Sequence, residues 1–135
     1  MIVDRSLGPD AAEELSELYG TYMWWADRDT AEVRRALAAT DEAVALRDED
    51  TGDLVAAARV LTDYTYYAMV YDVIVHADRR GEGLGAELMA AVVTHPPLSD
   101  VALTLAARDG LVPFYRWCKA SASGLDPEGE ADLRF

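Results

Sequence analysis

Apolar and polar positions along this chain follow two different periods, which predict alternating groups of helices and strands. Apolar residues recur at helical spacing at about 10–23, 29–40 and 84–94. Short apolar or β-branched runs at 43–48, 54–61, 66–75 and 101–106 predict strands. A last helix is predicted to open at Pro113, with Leu111, Phe114, Trp117 and Cys118 on one side. The predicted order is two helices, three antiparallel strands, a helix, a strand and a helix.

Local signals support several of these boundaries. Asp10 followed by Glu13, and Asp29 followed by Glu32, are capping-box patterns at the starts of the first two helices. Two consecutive prolines at 96–97 end the third helix. Neither an internal repeat nor a second domain is visible. The pattern therefore predicts one domain over 1–135, of α+β or α/β sandwich class with a mixed, mostly antiparallel sheet flanked by helices.

The composition changes this picture little. With 51% hydrophobic and 27% charged residues, 135 residues suffice for one globular core. No apolar run approaches the ~20 residues of a membrane span, and the start lacks the layout of a secretory signal. We therefore expect no membrane partner and a cytoplasmic location. The single cysteine, Cys118, predicts neither an internal disulfide nor a metal cluster.

The net charge of −13 limits the class of partner. A surface this acidic repels polyanions, so we expect no nucleic-acid partner. Two interpretations of the acidity stay open: an ordinary solvated acidic surface, or a field that steers a cationic amine toward the site over the short range that salt permits.

The candidate chemistry lies in a glycine-rich motif at 80–85, between the strand ending Val73-Ile74-Val75 and the third helix. The first turn of a helix carries unpaired N–H groups and partial positive charge, and glycines let a backbone approach an anion closely. A pyrophosphate fits such a site. A dinucleotide fingerprint requires the spacing G-x-G-x-x-G, and a Walker loop requires Gly-Lys-Ser/Thr, whereas the glycines here follow G-x-G-x-G. A purely structural glycine turn is the remaining alternative.

The spacing Arg-x-x-Gly-x-Gly after an alternating strand resembles the GNAT superfamily of acetyltransferases. The stretch at 71–89 resembles that family's strand-loop-helix core, and Asp109 to Tyr115 is similar to the segment that carries its frequent active-site tyrosine, in aralkylamine acetyltransferases particularly. The likeness covers about 55–120. It implies acetyl-CoA as acyl donor, no metal, and two central strands that splay apart to admit pantetheine. The cofactor-binding residues so implied are Val73 and Val75, through their backbone, and Arg80, Gly81, Glu82, Gly83, Leu84 and Gly85.

The resemblance also assigns roles in catalysis. Tyr115 is predicted to be the acid that protonates the departing thiolate, because a phenol of pKa about 10 matches a thiolate. The base is not identified. Strand parity places Met69, Tyr71, Val73 and Val75 on one face and Asp72 on the other, which favours a structural role for Asp72. His76 is expected at an exposed strand end, and His95 at a helix C-terminus, where the dipole favours it.

The acceptor side is less defined by the sequence. The aromatic residues Tyr22, Trp24 and Trp25, and the tyrosines at 64–67, either line an aromatic acceptor pocket or serve the core and the surface. The positions where the family has Gly-Phe are Lys119 and Ala120, and the chain ends soon after. We therefore expect an N-acetyltransferase that moves acetyl from acetyl-CoA to a primary amine, such as an arylalkylamine or another small amine, by direct attack. The alternative is a non-catalytic acyl-CoA-binding or regulatory module, and a homodimer that completes the C-terminal edge stays open.

Overall fold

One sheet organises the part of the chain that the computed structural model describes, which is the backbone of residues 1–107 and 110–113 and the side chains of residues 1–106. Its strands follow the order β1-β2-β3-β4-β5-β6. Their bounds are β1 (Ile2–Asp4), β2 (Glu42–Arg47), β3 (Leu54–Thr62), β4 (Tyr67–Val75), β5 (Ala102–Ala107) and β6 (Gly110–Pro113). Neighbouring strands are antiparallel except β4 and β5, which are parallel.

Helices cover both faces of this sheet. They are α1 (Ala12–Tyr19), α2 (Thr30–Ala38) and α3 (Leu84–Val93). The parallel pair β4 and β5 needs a crossover connection, which α3 supplies on one face, while α1 and α2 pack on the other. This arrangement confirms the predicted α/β sandwich. Within the described residues, no helix has both the length and the apolarity to cross a membrane.

Alternation along the strands divides the buried side chains into two cores. The larger core lies under α3, where Leu88 and Val92 meet Val60 and Val70. The smaller core lies under α1 and α2, and it contains Leu15, Leu18, Tyr19, Val33, Leu37, Ala45, Ala57 and Ile74. Because both faces are covered, strands such as β2 and β3 are buried almost along their whole length.

One of the two predicted capping boxes is confirmed. The Asp29 carboxylate accepts from the N–H of Glu32 at 2.8 Å, and the Glu32 carboxylate accepts from the N–H of Asp29 at 3.1 Å. The prediction for Asp10 is wrong: it lies inside the 3₁₀ turn Pro9–Ala11, and α1 begins at Ala12 without a side-chain cap. A proline directly before Asp10 favours the tighter turn, because its fixed φ suits the first position of a helix.

The structure also differs from the prediction at the two ends of the sheet. Residues 2–4 form β1, which the sequence did not predict, because three residues carry no readable period. The sequence predicted that a helix opens at Pro113. This start is wrong, because Gly110–Pro113 form β6 and pair with β5 from Ala107 to Thr104. Backbone pairing with β5 makes this segment a strand and not the start of a helix. Phe114, Tyr115, Trp117 and Cys118 lie outside the described residues.

The parallel strands β4 and β5 splay apart. β5 pairs only with the first half of β4, from Tyr67↔Ala102 to Val70↔Leu105. Among the described strands, only β3 pairs with β4 from there to Val75. The predicted splayed pair is therefore confirmed, and it leaves an open backbone edge along the second half of β4.

A β-bulge interrupts β4 within this free half. Tyr71 pairs with Arg59, and Ile74 pairs with Ala57. Between these two pairs β4 advances by three residues while β3 advances by two. The extra residue reverses the alternation: Val73 and Val75 pack on the same core as Val70. The predicted parity, with Tyr71, Val73 and Val75 on one face, is therefore wrong, because period-two counting fails across a bulge.

Candidate active site

The glycine motif forms a tight loop between the end of β4 and the start of α3. Gly81 and Gly83 have φ of 83° and 79°, in the left-handed region where an L side chain is strained. Gly83 caps α3, and Gly85 lies in its first turn with ordinary φ. A Cβ built on Gly85 would lie 3.9 Å from Val75 Cγ2. The glycines thus have two roles, a left-handed loop backbone at 81 and 83 and helix-strand packing at 85.

This loop presents backbone donors to its surroundings. Glu87 is the first residue of α3 whose N–H has a backbone acceptor, since it donates to the carbonyl of Gly83 at 3.1 Å. The N–H groups of Leu84, Gly85 and Ala86 have no acceptor among the described residues. Such groups carry the positive end of the helix dipole, and together they form a cradle for an anion.

The two arginines beside the loop differ in availability. Arg79 forms ion pairs with Asp48 and Glu82, each with an N–O distance of 3.1 Å. Arg80 forms no ion pair with any described carboxylate, and its guanidinium lies 5.6 Å from the centre of the Tyr22 ring. Its Nε donates to the carbonyl of Ala77 at 3.4 Å, so the charge of Arg80 has no described carboxylate to neutralise it and is available to a bound anion. Glu82, whose carboxylate holds Arg79, can offer only its backbone.

The free edge of β4 runs from the bulge to this loop. The N–H of His76 donates to Val55 of β3 at 2.8 Å, so the alternation of an antiparallel ladder turns the N–H and C=O of Val75 away from β3. The bulge sets Val73 likewise between two registered pairs. The hydroxyl of Tyr22 donates to the carbonyl of Val75 at 2.6 Å. The backbone N–H of Val75 therefore lies along the splay, beside the anion cradle, with Val73 two residues before it on the same free stretch of β4.

The sheet face beyond α1 and α2 is open. Cross-strand pairing puts Leu61, Met69 and Thr104 side by side on this face, with Tyr71 following along β4. Leu61 is 39% exposed and the other three are half-buried. We call these four side chains the open sheet face. The segment between α1 and α2 carries Trp24, which is 56% exposed, and Trp25, which is half-buried and packs edge-on against Tyr19.

Asp72 is engaged by two arginines. Its carboxylate accepts from Arg28 at 2.9 and 3.3 Å and from Arg59 at 2.9 and 2.8 Å. Burial by itself raises the pKa of this carboxyl, but the hydrogen bonds from the two arginines outweigh it and hold the pKa below its ordinary value. Asp72 therefore stays ionised and is a weak base. A charged residue inside an apolar strand was the signal for a buried ion pair, but its partners, 13 and 44 residues away, could not be found from spacing.

The two histidines are also occupied. His76 Nδ1 accepts from the N–H of Asp78 at 3.1 Å, directly after β4. His95 directly follows the C-cap of α3, at the helix end where it was expected, and it is only 5% exposed. Its Nε2 contacts Glu42, and its Nδ1 lies 3.0 Å from Arg5. Because a guanidinium can only donate, Nδ1 of His95 is the acceptor and Nε2 carries the proton. In each ring, the nitrogen that could accept a proton already accepts a hydrogen bond.

A cleft of about 470 Å³ lies on the α1 side of the loop, but it does not include the glycine motif. Its lining contains five carboxylates, Glu14, Glu17, Asp48, Asp53 and Asp78, with His76 and the already paired Arg79. The negative charge of these carboxylates would repel a phosphate group. Within the described residues, no three His, Cys, Asp or Glu side chains gather into a set that could hold a metal ion.

The structure thus brings the predicted binding residues together. The cradle and the free edge of β4 are contiguous, and their predicted members are Val73, Val75, Arg80, Gly81, Glu82, Gly83, Leu84 and Gly85. Tyr115 lies outside the described residues and stays a prediction. The sequence did not identify the contact of Tyr22 with Val75 or the pairing of Asp72 with Arg28 and Arg59, because both join residues that are distant in the chain.

Comparisons with known proteins agree with this geometry. The matching curated relatives include the N-acetyltransferase ycf52 of Gracilaria tenuistipitata var. liui, which is 36% identical over 64 residues. That match covers 47% of this chain and 35% of the relative, so the chain spans about a third of its length. A GNAT-family protein of Xanthomonas campestris pv. campestris, known from its crystal structure, is 26% identical, with a TM-score of 0.61 over 100% of this chain and 94% of that one.

An aminoglycoside 6'-N-acetyltransferase, solved as a complex with coenzyme A, shares the fold. It is 20% identical, with a TM-score of 0.63 over 78% of this chain and 61% of that one. The model of the acetyltransferase (GNAT) family matches residues 7–119. Taken with the splayed strands and the glycine loop, that match shows that the chain belongs to the GNAT family of acetyltransferases.

Proposed function

We propose that this protein transfers an acetyl group from acetyl-CoA to a primary amine. The observation that carries the proposal is the continuity of two features: the anion cradle of the Leu84, Gly85 and Ala86 N–H groups, after the glycine loop, and beside it the free backbone edge of β4. A CoA molecule needs both, since its pyrophosphate is an anion and its pantetheine arm is a chain of amides that can pair like an added strand. The aminoglycoside acetyltransferase solved with coenzyme A has the same fold, which supports this reading.

The residues along the splay suit acyl transfer. The backbone N–H of Val73 or Val75 would donate to the thioester oxygen as negative charge develops there, and such a donor is worth about 3 kcal/mol in the transition state. The amine nitrogen forms a bond to the carbonyl carbon while the bond from carbon to sulfur breaks. A cationic amine loses one proton to become the nucleophile and a second as the amide forms, while the CoA sulfur gains one, which Tyr115 would supply. Since the described histidines are engaged, water is the simplest acceptor of the two amine protons; one of them in balance returns to Tyr115 and the other is released to solvent.

We place the amine on the open sheet face. Leu61, Met69 and Tyr71 give it an apolar and aromatic floor. Trp25 is linked to this floor through Arg28, which pairs with Asp72 beside Tyr71. An arylalkylamine would bury its ring on such a floor, since aromatic pairs stabilise beyond their buried area. The acidic surface favours a cationic acceptor over an anionic one.

The direct test is release of CoA thiol in the presence of arylalkylamines, polyamines or amino acids. We expect turnover with at least one amine, and most with an arylalkylamine. The acetylated product, identified by mass spectrometry, separates transfer from hydrolysis. Tight CoA binding without turnover on any amine would contradict the proposal and point to a non-catalytic module.

The difference between the two loop arginines gives a second prediction. Replacing Arg80 by Gln is expected to raise the Kd for CoA about tenfold, because one phosphate contact is worth roughly 1.5 kcal/mol when the cation has no carboxylate partner. The loss should shrink as salt is raised, since exposed charges are screened. Arg79→Gln is the matched control. Its cation is already neutralised by Asp48 and Glu82, so its Kd should stay within about threefold of the wild type. Equal losses in both variants would contradict this assignment.

A further inference from the structure

The bulge in β4 is centred on a residue with an unusual backbone. Asp72 has φ of 55°, in the left-handed region. This conformation costs an L-residue roughly 1–2 kcal/mol, least for Asp and Asn, whose short polar side chains bond locally. Such a backbone persists only where its surroundings hold it. In this protein the contacts that hold the Asp72 backbone are those of its own carboxylate.

The Asp72 carboxylate is clamped from two sides. Arg59 projects from the facing strand β3 and donates through both Nε and a terminal nitrogen, while its other terminal nitrogen donates to Thr40 Oγ1 at 3.0 Å. Arg28 adds a two-point contact from the segment between α1 and α2. The Asp72 side chain is 13% exposed, so these bonds are largely screened from water. We call Asp72, Arg28 and Arg59 the bulge clamp.

The clamp also ties the bulge to the proposed acceptor side. The guanidinium of Arg28 lies 4.9 Å from the ring centre of Tyr19 and 5.3 Å from that of Trp25. Arg28 therefore links Tyr19 and Trp25 to the bulge of β4. Val73, the next residue after Asp72, lies in the bulge and beyond the last pair of β4 with β5.

We propose that Asp72 is a positioning residue, whose clamp by Arg28 and Arg59 holds the β4 bulge so that the Val73 N–H is aimed at the acyl carbonyl. The inference rests on the proposed function for the identity of that carbonyl. It assigns Asp72 neither proton transfer nor contact with the substrate. It also differs from a purely structural role, because the clamp acts on a donor that matters in the transition state more than in CoA binding.

The test compares Asp72→Asn with Asp4→Asn. Asparagine tolerates the left-handed backbone but loses the charge that holds both arginines. Asp4 is the matched control: its carboxylate accepts from Arg47 at 2.9 Å, is 19% exposed, and lies on β1 at the far edge of the sheet. The probe is acetyl-CoA labelled with ¹³C at the thioester carbonyl, whose stretching frequency falls when a donor polarises it. Isotope-edited infrared spectra of the bound probe then report the donor directly, without turnover.

We expect the wild type and Asp4→Asn to bind the probe with the same lowered carbonyl frequency. Asp72→Asn should bind it with a Kd within about threefold, yet with the frequency returned toward that of the free probe. Its kcat should fall on the order of 10- to 100-fold, since small displacements of a catalytic donor have such effects. The shape of the pH profile should not change, because no titrating group is lost from the reaction.

Other outcomes overturn the inference. A carbonyl frequency in Asp72→Asn equal to that of the wild type means that the clamp does not aim the donor, and loss of one limb of the pH profile makes Asp72 a base. If Asp72→Asn does not fold, Arg28→Gln, which leaves Asp72 paired with Arg59, should show the same frequency change in smaller degree, and no change overturns the proposal. A wild type that polarises the probe but acetylates no amine would refute the proposed function while leaving the positioning role standing.

Discussion

Replacing Gly83 by valine is expected to weaken CoA binding at least 100-fold while the protein stays folded. Gly83 has φ of 79°, and this left-handed backbone disfavours a β-branched residue strongly. Valine relieves the strain by turning the peptide, which reorients the N–H groups at the start of α3. A Cβ at Gly83 would meet nothing within 4 Å, so the damage stays local to the cradle. Isothermal titration calorimetry with CoA measures the loss.

Two glycines of the same chain serve as controls for Gly83. Gly52 has φ of 77° with open space around its Cβ position, but it lies in the turn between β2 and β3. Gly52→Val therefore introduces the same kind of backbone strain, and it should lower the melting temperature without changing the Kd for CoA. Gly85→Ala, with ordinary φ and a 3.9 Å contact, should do neither. Micromolar CoA binding by Gly83→Val would disprove the pyrophosphate assignment.

Replacing Tyr115 by phenylalanine is expected to lower kcat on the order of 100-fold, with the Kd for CoA unchanged. A positioned acid typically contributes 10²- to 10⁴-fold, and here it would protonate the leaving thiolate, so its loss acts on the transition state and not on cofactor binding. β6 ends at Pro113, opposite Thr104 on β5, and Tyr115 follows two residues later. Steady-state kinetics with the best amine of the panel measures the effect.

The pH dependence offers a further check on Tyr115. An acid must be protonated to act, so the wild-type kcat should fall as pH rises through the phenol pKa, and this limb should vanish in Tyr115→Phe. Tyr66→Phe, on an exposed tyrosine of the turn before β4, is the control and should leave kcat unchanged. A kcat for Tyr115→Phe within twofold of the wild type would show that another group supplies the proton.

Local patterns were sufficient for much of the fold. The helix stretches, the middle strands and the capping box of Asp29 follow from contacts within a few residues, and these are what periodicity records. Local patterns failed where the secondary structure of a segment depends on a partner that is distant in the chain. β1 and β6 are too short to show a period and exist because β2 and β5 offer them backbone partners. The 3₁₀ turn around Asp10 replaced its predicted cap for a local reason that the preceding proline supplied.

The candidate site divides along the same line. The glycine loop was predictable because a left-handed turn before a helix needs glycine at particular positions, and Gly81 and Gly83 have the expected backbone. The face of Val73 was predicted wrongly, because a bulge adds one residue and reverses the alternation that the prediction assumed. The clamp of Asp72 and the Tyr22 contact to Val75 had no local signature at all.

By itself, then, the sequence determined an α/β sandwich with a glycine loop between a strand and a helix, since spacing and backbone preference are properties of neighbouring residues. Only the tertiary structure decided which backbone groups of β4 are free, where its bulge falls, and how Arg28 and Arg59 neutralise Asp72. Those features depend on which strands pair and where pairing stops. They are set by contacts across the sheet, between residues that the chain order keeps far apart.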